Sequence, residues 1–134
     1  MKQLVIEAFG NPEQLTLVDT EHPPLTASQM RLGMRFAGVN PIDAKTRAGL
    51  GWGAQAVKDK LPWSPGFEMA GEVLEVGSEV CRFMPGDRVF GLVSGGGYGE
   101  ELVVDCNEVL PVPEEVTDEM AAGLALAGLT AWQG

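Results

Sequence analysis

Met30, Leu32, Met34 and Phe36 alternate with Arg31, Gly33 and Arg35, a period-two pattern that predicts a strand with one buried face. Similar short apolar runs lie at Gln3–Phe9 and Leu15–Thr20, on either side of a Gly10-Asn11-Pro12 turn signal. Four more follow at Glu68–Val76, Asp87–Val93, Tyr98–Val104 and Glu108–Val112. Pro85-Gly86-Asp87 reads as the turn between the first two of these, and Gly95-Gly96-Gly97 as a hairpin turn between antiparallel strands. Helical signals are fewer. Pro41 at a permissive first-turn position, with Asn40 as cap, predicts a short helix over Ile42–Ala48. Thr117 caps a second helix, whose first turn carries Asp118 and Glu119 and whose apolar positions run from Ala121 to Trp132. Glu21–Ala27 and Gly49–Pro65 are broken by proline and glycine and read as loops, the second long enough to suggest a functional role. The pattern is mainly β with a few helices: a small twisted barrel over residues 1–116 and an appended helix over 117–134.

Composition narrows the setting. A chain of 134 residues, 45% hydrophobic and 21% charged, is one globular domain with a real core. Its formal charge of -10 repels phosphate backbones and anionic lipid, so nucleic acid and membrane surfaces are poor partners. Met1–Gly10 is too short for a signal peptide, and Met120–Gly134 falls short of a membrane span. Cys81 and Cys106 read as reduced thiols, which makes a cytoplasmic location the expectation.

Gly49-Leu50-Gly51-Trp52-Gly53-Ala54 loosely fits a dinucleotide fingerprint, but that chemistry needs a buried strand before it and a helix after it. Here it follows Lys45-Thr46-Arg47 with no parallel strand before it, and the segment reads as a flexible loop. In Ala37–Gly49, Asp43 and Arg47 stand four apart on the short helix and can pair, while Asn40 offers an amide donor and acceptor. Pro65-Gly66-Phe67-Glu68 leads into a strand, with Glu68 either a partly buried acid or a strand-edge charge.

Taken in order, Asn40-Pro41-x-Asp43, Pro65-Gly66-x-Glu68-x-x-Gly71 and Pro85-Gly86-Asp87-Arg88-Val89 resemble the medium-chain dehydrogenase/reductase superfamily. Gly96-Gly97-Tyr98-Gly99-Glu100 and Ala127-Gly128-Leu129-Thr130-Ala131-Trp132 continue the likeness, which is nearest to the quinone oxidoreductase (zeta-crystallin-like) branch. The resemblance implies a GroES-like, partly open β-barrel as the N-terminal domain, with a Rossmann domain absent from these residues. It also implies NADPH as cofactor, held mainly by that absent domain, and a quinone or enone as substrate. Thr130 would contact the nicotinamide end, and Asn40 would lie in the cleft that nicotinamide and substrate share.

Zinc-dependent members of the superfamily resemble Gly-x-Cys-Gly-x-Asp-x-His followed by Gly-His-Glu. Here Asn40 replaces the cysteine, Lys45 the following histidine and Phe67 the ligating histidine, leaving only Glu68 of the set. Zinc needs about four soft or borderline ligands, so no metal is expected. Hydride delivery then falls to the nicotinamide, with the protein orienting the acceptor and stabilising developing charge on its oxygen. Lys45 is a candidate cationic donor beside Asn40, with Asp43, Arg47 and Glu68 as supports. The expected function is the substrate side of an NADPH-dependent reductase of quinones or α,β-unsaturated carbonyls. An enoyl-thioester reductase domain and a non-enzymatic GroES-like binding module are the alternatives. The segment alone is expected to bind no NADPH and turn over nothing. The family often dimerises through its cofactor domain, so a homodimer is implied for a full-length protein.

Overall fold

β3 (Gln29–Gly38) is the axis of the fold, because both of its edges are paired. The computed structural model describes residues 1–134. β4 (Glu68–Val76) lies antiparallel on one side of β3 and β6 (Glu101–Asp105) on the other. β5 (Arg88–Leu92) adds to β4 and β7 (Val109–Pro111) adds to β5, giving the sheet order β6-β3-β4-β5-β7. β1 (Lys2–Ile6) and β2 (Leu15–Asp19) form a separate antiparallel pair. Isolated bridges from Gln3 to Gly99 and from Ile6 to Trp63 tie that pair to the rest. The sheets stay open rather than closing into a barrel, as a GroES-like domain does.

Met30 and Leu32 are wholly buried, as their alternation predicts, and pack with Met69, Val73, Phe83, Val89, Val104 and Val109 into the main core. The alternation fails beyond Met34. Register slips between Met34 and Phe36, leaving Arg35 as the extra residue of a β-bulge. The bulge turns the strand, and Phe36 is 43% exposed instead of buried.

α1 (Pro41–Arg47) forms where expected. The long loop predicted over Gly49–Pro65 instead contains α2 (Gly51–Val57). Glycine costs a helix about 1 kcal/mol relative to alanine, so the sequence argues against it. Packing overrides the propensity: Gly53, Ala54 and Val57 are buried, and Gly53 lies so close to Thr46 Oγ1 that a Cβ there would overlap it. Gly49 and Gly51, both at positive φ, make the turn between the two helices.

Gly95-Gly96-Gly97 is not a hairpin. β5 pairs only with β4 and β7, and β6 lies at the far edge beside β3. The glycines instead lie against Ser64–Gly66, with Gly96 N donating to Ser64 O (2.8 Å), Gly97 N to Gly66 O (3.1 Å) and Tyr98 N to Pro65 O (3.1 Å). A Cβ at Gly66 would stand 2.6 Å from Gly97 Cα, which is why both positions need glycine. The predicted C-terminal helix is also divided. α3 (Asp118–Ala122) is capped by Thr117, whose Oγ1 accepts from Met120 N at 3.2 Å. It stops at Gly123, and α4 (Ala125–Gln133) begins anew. Ala121 and Ala122 pack on Ala70, and Arg88 grips α3 through Asp118 Oδ1 (2.8 Å) and Val116 O (2.6 Å). No helix is long and apolar enough to cross a membrane.

Candidate functional site

The end of β3, the start of α1 and the start of β4 meet around Gly38. Register places Gly38 opposite Glu68, and the absence of a side chain at Gly38 makes room for the Glu68 carboxylate. Glu68 is only 2% exposed, so its oxygens must find donors inside the protein. Oε1 accepts from Asn40 Nδ2 at 2.7 Å and Oε2 from the backbone N–H of Leu126, in α4, at 2.6 Å. A carboxylate has no N–H to offer, so the Asn40 amide must turn its nitrogen toward Glu68. The other amide proton of Asn40 is thereby left for another partner.

Asp43 fixes the backbone of the same residue. It is 5% exposed. Its Oδ2 accepts from Asn40 N at 2.8 Å, half of the reciprocal capping arrangement that starts α1, and its Oδ1 accepts from Gly66 N at 3.0 Å. The carboxylate therefore joins the helix start to the Pro65-Gly66-Phe67-Glu68 turn. Asn40, Asp43 and Glu68 form one connected unit. Its buried carboxylates are matched by amide donors and not by a cation.

Asp43 and Arg47 do not pair. Asp43 is occupied by the two amides, and Arg47 Nη1 donates instead to Gly10 O at 2.6 Å, bracing the turn after β1. Lys45 lies on the exposed side of α1, and its ammonium makes neither a hydrogen bond nor an ion pair. Thr130 is on α4, one helical turn beyond Leu126, and its Oγ1 donates to Leu126 O at 2.8 Å. With its proton spent there, the hydroxyl can only accept from another group.

Tyr98 is the member that the sequence pattern did not single out. Its phenol reaches Gly38 O (3.5 Å), and burial, aided by the negative charges of Asp43 and Glu68, pushes its ionisation well above the ordinary phenol range. Its being the only tyrosine of the chain, set between glycines, was the available signal.

The neighbouring Phe67 faces the other way. It packs against Trp63 (ring centroids 5.5 Å apart) and Trp52 (6.3 Å). A cavity of 310 Å3 opens there, lined by Trp52, Val57, Phe67, Leu92 and Val93, with Lys60, Ser94 and Glu108 among its polar members. No group of three or more His, Cys, Asp or Glu side chains that could hold a metal ion comes together in the chain.

Residues 26–114 match the family model for the alcohol dehydrogenase GroES-like domain. The chain is 33% identical over 133 residues to a mouse quinone oxidoreductase, covering 98% of this chain and 39% of that protein. The solved quinone oxidoreductase of Coxiella burnetii superposes with a TM-score of 0.94 at 37% identity, covering 99% of this chain and 43% of the other. The Escherichia coli quinone oxidoreductase complexed with NADPH superposes at 0.89 with 27% identity, covering 98% and 39%. The chain therefore spans about two fifths of the length of the relatives it matches. On these matches and the fold described above, the chain belongs to the alcohol dehydrogenase GroES-like domain family and is similar to the corresponding part of quinone oxidoreductases.

Proposed function

We propose that this chain is the substrate side of an NADPH-dependent oxidoreductase that transfers hydride to a quinone or an α,β-unsaturated carbonyl without zinc. The observation that carries the reading is the Glu68 carboxylate, which joins Asn40 at the start of α1 to the N–H of Leu126 in α4. One buried acid thus sets the relative positions of the two residues expected at the substrate and cofactor ends.

Bound NADPH supplies the hydride. Thr130 suits its carboxamide, because a hydroxyl whose proton is committed to Leu126 O can accept from an amide N–H. Asn40, held by Glu68 on one side and by Asp43 through its backbone, directs its remaining N–H at the acceptor oxygen, where negative charge develops as hydride arrives. Such preorganised donors stabilise the charge without reorganising. Lys45 is a second donor only if the acceptor reaches the exposed face of α1. Asp43 and Glu68 are positioning residues, and Arg47 steadies the far end of the same helix.

The donor types at the positions that resemble a zinc site also support a metal-free reaction. An amide at Asn40 and a phenyl ring at Phe67 are poor zinc ligands. Residues 117–134 would lead toward the nucleotide-binding domain, and the whole protein would be a cytoplasmic homodimer acting on small molecules.

The test is steady-state NADPH oxidation by the full-length protein with quinone and enone acceptors, before and after treatment with a chelator. Turnover that survives chelation is expected, as is a loss of roughly 100-fold in kcat for Asn40→Ala, the scale of removing one oxyanion donor. Failure with every acceptor, or loss on chelation restored by zinc, overturns the reading.

A further inference from the structure

We infer that the α1–α2 lobe gives this site a preference for acceptors that carry a fixed negative charge, such as a carboxylate, sulfonate or phosphate, apart from the group being reduced. The inference rests on the oxidoreductase reading and names the charge of the molecule it reduces. Net charge alone argues the opposite, since a chain of -10 repels anions. The distribution of charge decides. Residues 40–67 hold four bases, Lys45, Arg47, Lys58 and Lys60, against two acids, Asp43 and Asp59. The rest of the chain holds five bases against seventeen acids. Asp43 is buried and answered by peptide N–H groups, so Asp59 is the one acid this lobe presents to solvent.

Pairing sharpens the contrast. With 19 acids to 9 bases, a surface cation of this chain readily finds a partner, and Lys2, Arg31, Arg35 and Arg88 all do. Lys45, Lys58 and Lys60 are exposed, and none of their ammonium groups enters an ion pair or a hydrogen bond. Cations near helix C-termini suit the helix dipole, which accounts for Arg47 and Lys58. It does not account for Lys60, which lies beyond α2 and lines the cavity beside Trp52 and Phe67. Glu108 also lines that cavity, but makes no ion pair with Lys60. The lobe is fixed beside the site, because Asn40 caps α1 and α2 packs on α1 where Gly53 meets Thr46. Phe67 in turn precedes Glu68, which holds Asn40. A molecule approaching Asn40 from the α2 side therefore meets three unneutralised ammonium groups. Such charges, about 10 Å from its path and little screened at low salt, raise the encounter rate of a monoanion roughly 5-fold.

The test has two independent readouts. The first compares phenanthrene-9,10-quinone with its 2-sulfonate, which differ by one fixed charge and offer no quinoid C–H for conjugate addition by Cys81 or Cys106. In the full-length protein with saturating NADPH, kcat/KM for the sulfonate should fall roughly 5-fold between about 20 and 300 mM salt, while the neutral quinone changes less than about 1.5-fold. Lys58→Glu should lower the sulfonate value roughly 3-fold at the lower salt and leave the neutral quinone within about 2-fold. Combining it with Lys60→Glu should remove or invert the salt slope. Equal slopes for the two quinones, or a sulfonate slope that survives the double variant, overturn the inference. The second readout uses the 134-residue chain and needs no turnover. Amide relaxation by an anionic nitroxide is divided by that from a neutral nitroxide of the same ring. The ratio should exceed one around Lys45, Lys58 and Lys60 and fall below one around Glu114, Glu115 and Glu119, and the double variant should erase the excess. The same spectra check that the variants fold. A ratio below one throughout overturns the inference. An excess at the lobe with no NADPH oxidation by either quinone would instead remove the oxidoreductase reading and leave the positive field standing.

Discussion

Replacing Glu68 by glutamine changes one atom and reverses a hydrogen-bond pattern. The carboxylate gives two acceptors to two donors, Asn40 Nδ2 at 2.7 Å and Leu126 N at 2.6 Å. Glutamine keeps one acceptor. The Leu126 N–H is backbone and cannot turn, so it takes the remaining oxygen, and the new NH2 must face Asn40. Asn40 can meet it only by rotating its amide so that Oδ1 points inward and Nδ2 outward. Both bonds survive, but each passes from charge-assisted to neutral, which lowers its contribution by about 1 kcal/mol, for a total near 2 kcal/mol. For a domain of this size that lowers Tm by roughly 6–10 °C. Glu68→Ala removes both acceptors and leaves the Leu126 N–H without one, costing about 4 kcal/mol with the cavity included. Thermal melts of the three proteins rank the effects. Hydrogen exchange at the Leu126 amide separates them, since protection should persist in Glu68→Gln and fall more than tenfold in Glu68→Ala. The reasoning is wrong if Glu68→Gln matches wild type in stability, or if it loses Leu126 protection as fully as Glu68→Ala does.

Other perturbations probe the surrounding supports. A Cβ at Gly38 would stand 2.5 Å from Glu68 Cγ and Cδ, so Gly38→Ala should destabilise by about 1–3 kcal/mol through overpacking, measured by urea unfolding. Because the fold raises the Tyr98 ionisation above its unfolded value, the native state keeps a proton that the unfolded chain releases. Stability should therefore be fully present below about pH 10 and fall as pH rises above it, and Tyr98→Phe should flatten that alkaline slope in chemical denaturation. Asp105 behaves oppositely: the Asn107 backbone N–H and the Ser28 hydroxyl lower its ionisation, so its contribution should be present above the ordinary aspartate range and vanish as pH falls through the depressed value. Replacing Asp105 with asparagine should remove that acid-limb contribution in a pH-dependent melt. Thr117→Ala removes the cap of α3 and should cost about 1 kcal/mol by calorimetry.

The strands and their order of motifs were legible because burial on one face leaves a two-residue period, as at Met30 and Leu32. The period misled where geometry departs from an ideal strand: the bulge at Arg35 exposes Phe36, and nothing in the residue types announces it. α2 was hidden for a related reason, since Gly51 and Gly53 argue against a helix and only their fit beside Thr46 favours one. Gly95-Gly96-Gly97 has the composition of a hairpin turn, yet its glycines serve a close backbone approach to Gly66 across the fold. At the site, Asn40, Asp43 and Glu68 were readable as residues, but their connection was not. The two bonds that matter most to Asp43 and Glu68 end on the backbone of Gly66 and Leu126, and a backbone N–H carries no side-chain signature. Arg47 illustrates the converse, because the four-residue spacing to Asp43 allowed a pairing that the nearer amides displaced.

The two buried carboxylates have a consequence for how the protein responds to its medium. Elsewhere several charges pair with opposite charges at the surface, as Lys2 does with Asp19 and Arg31 with Glu75, and dissolved salt weakens such pairs. Asp43 and Glu68 are answered instead by peptide and amide N–H groups that counter-ions cannot reach. Raising ionic strength should loosen the periphery while Asn40 keeps its orientation. The placement of the amide is thereby made independent of the electrolyte around a chain that carries ten net negative charges.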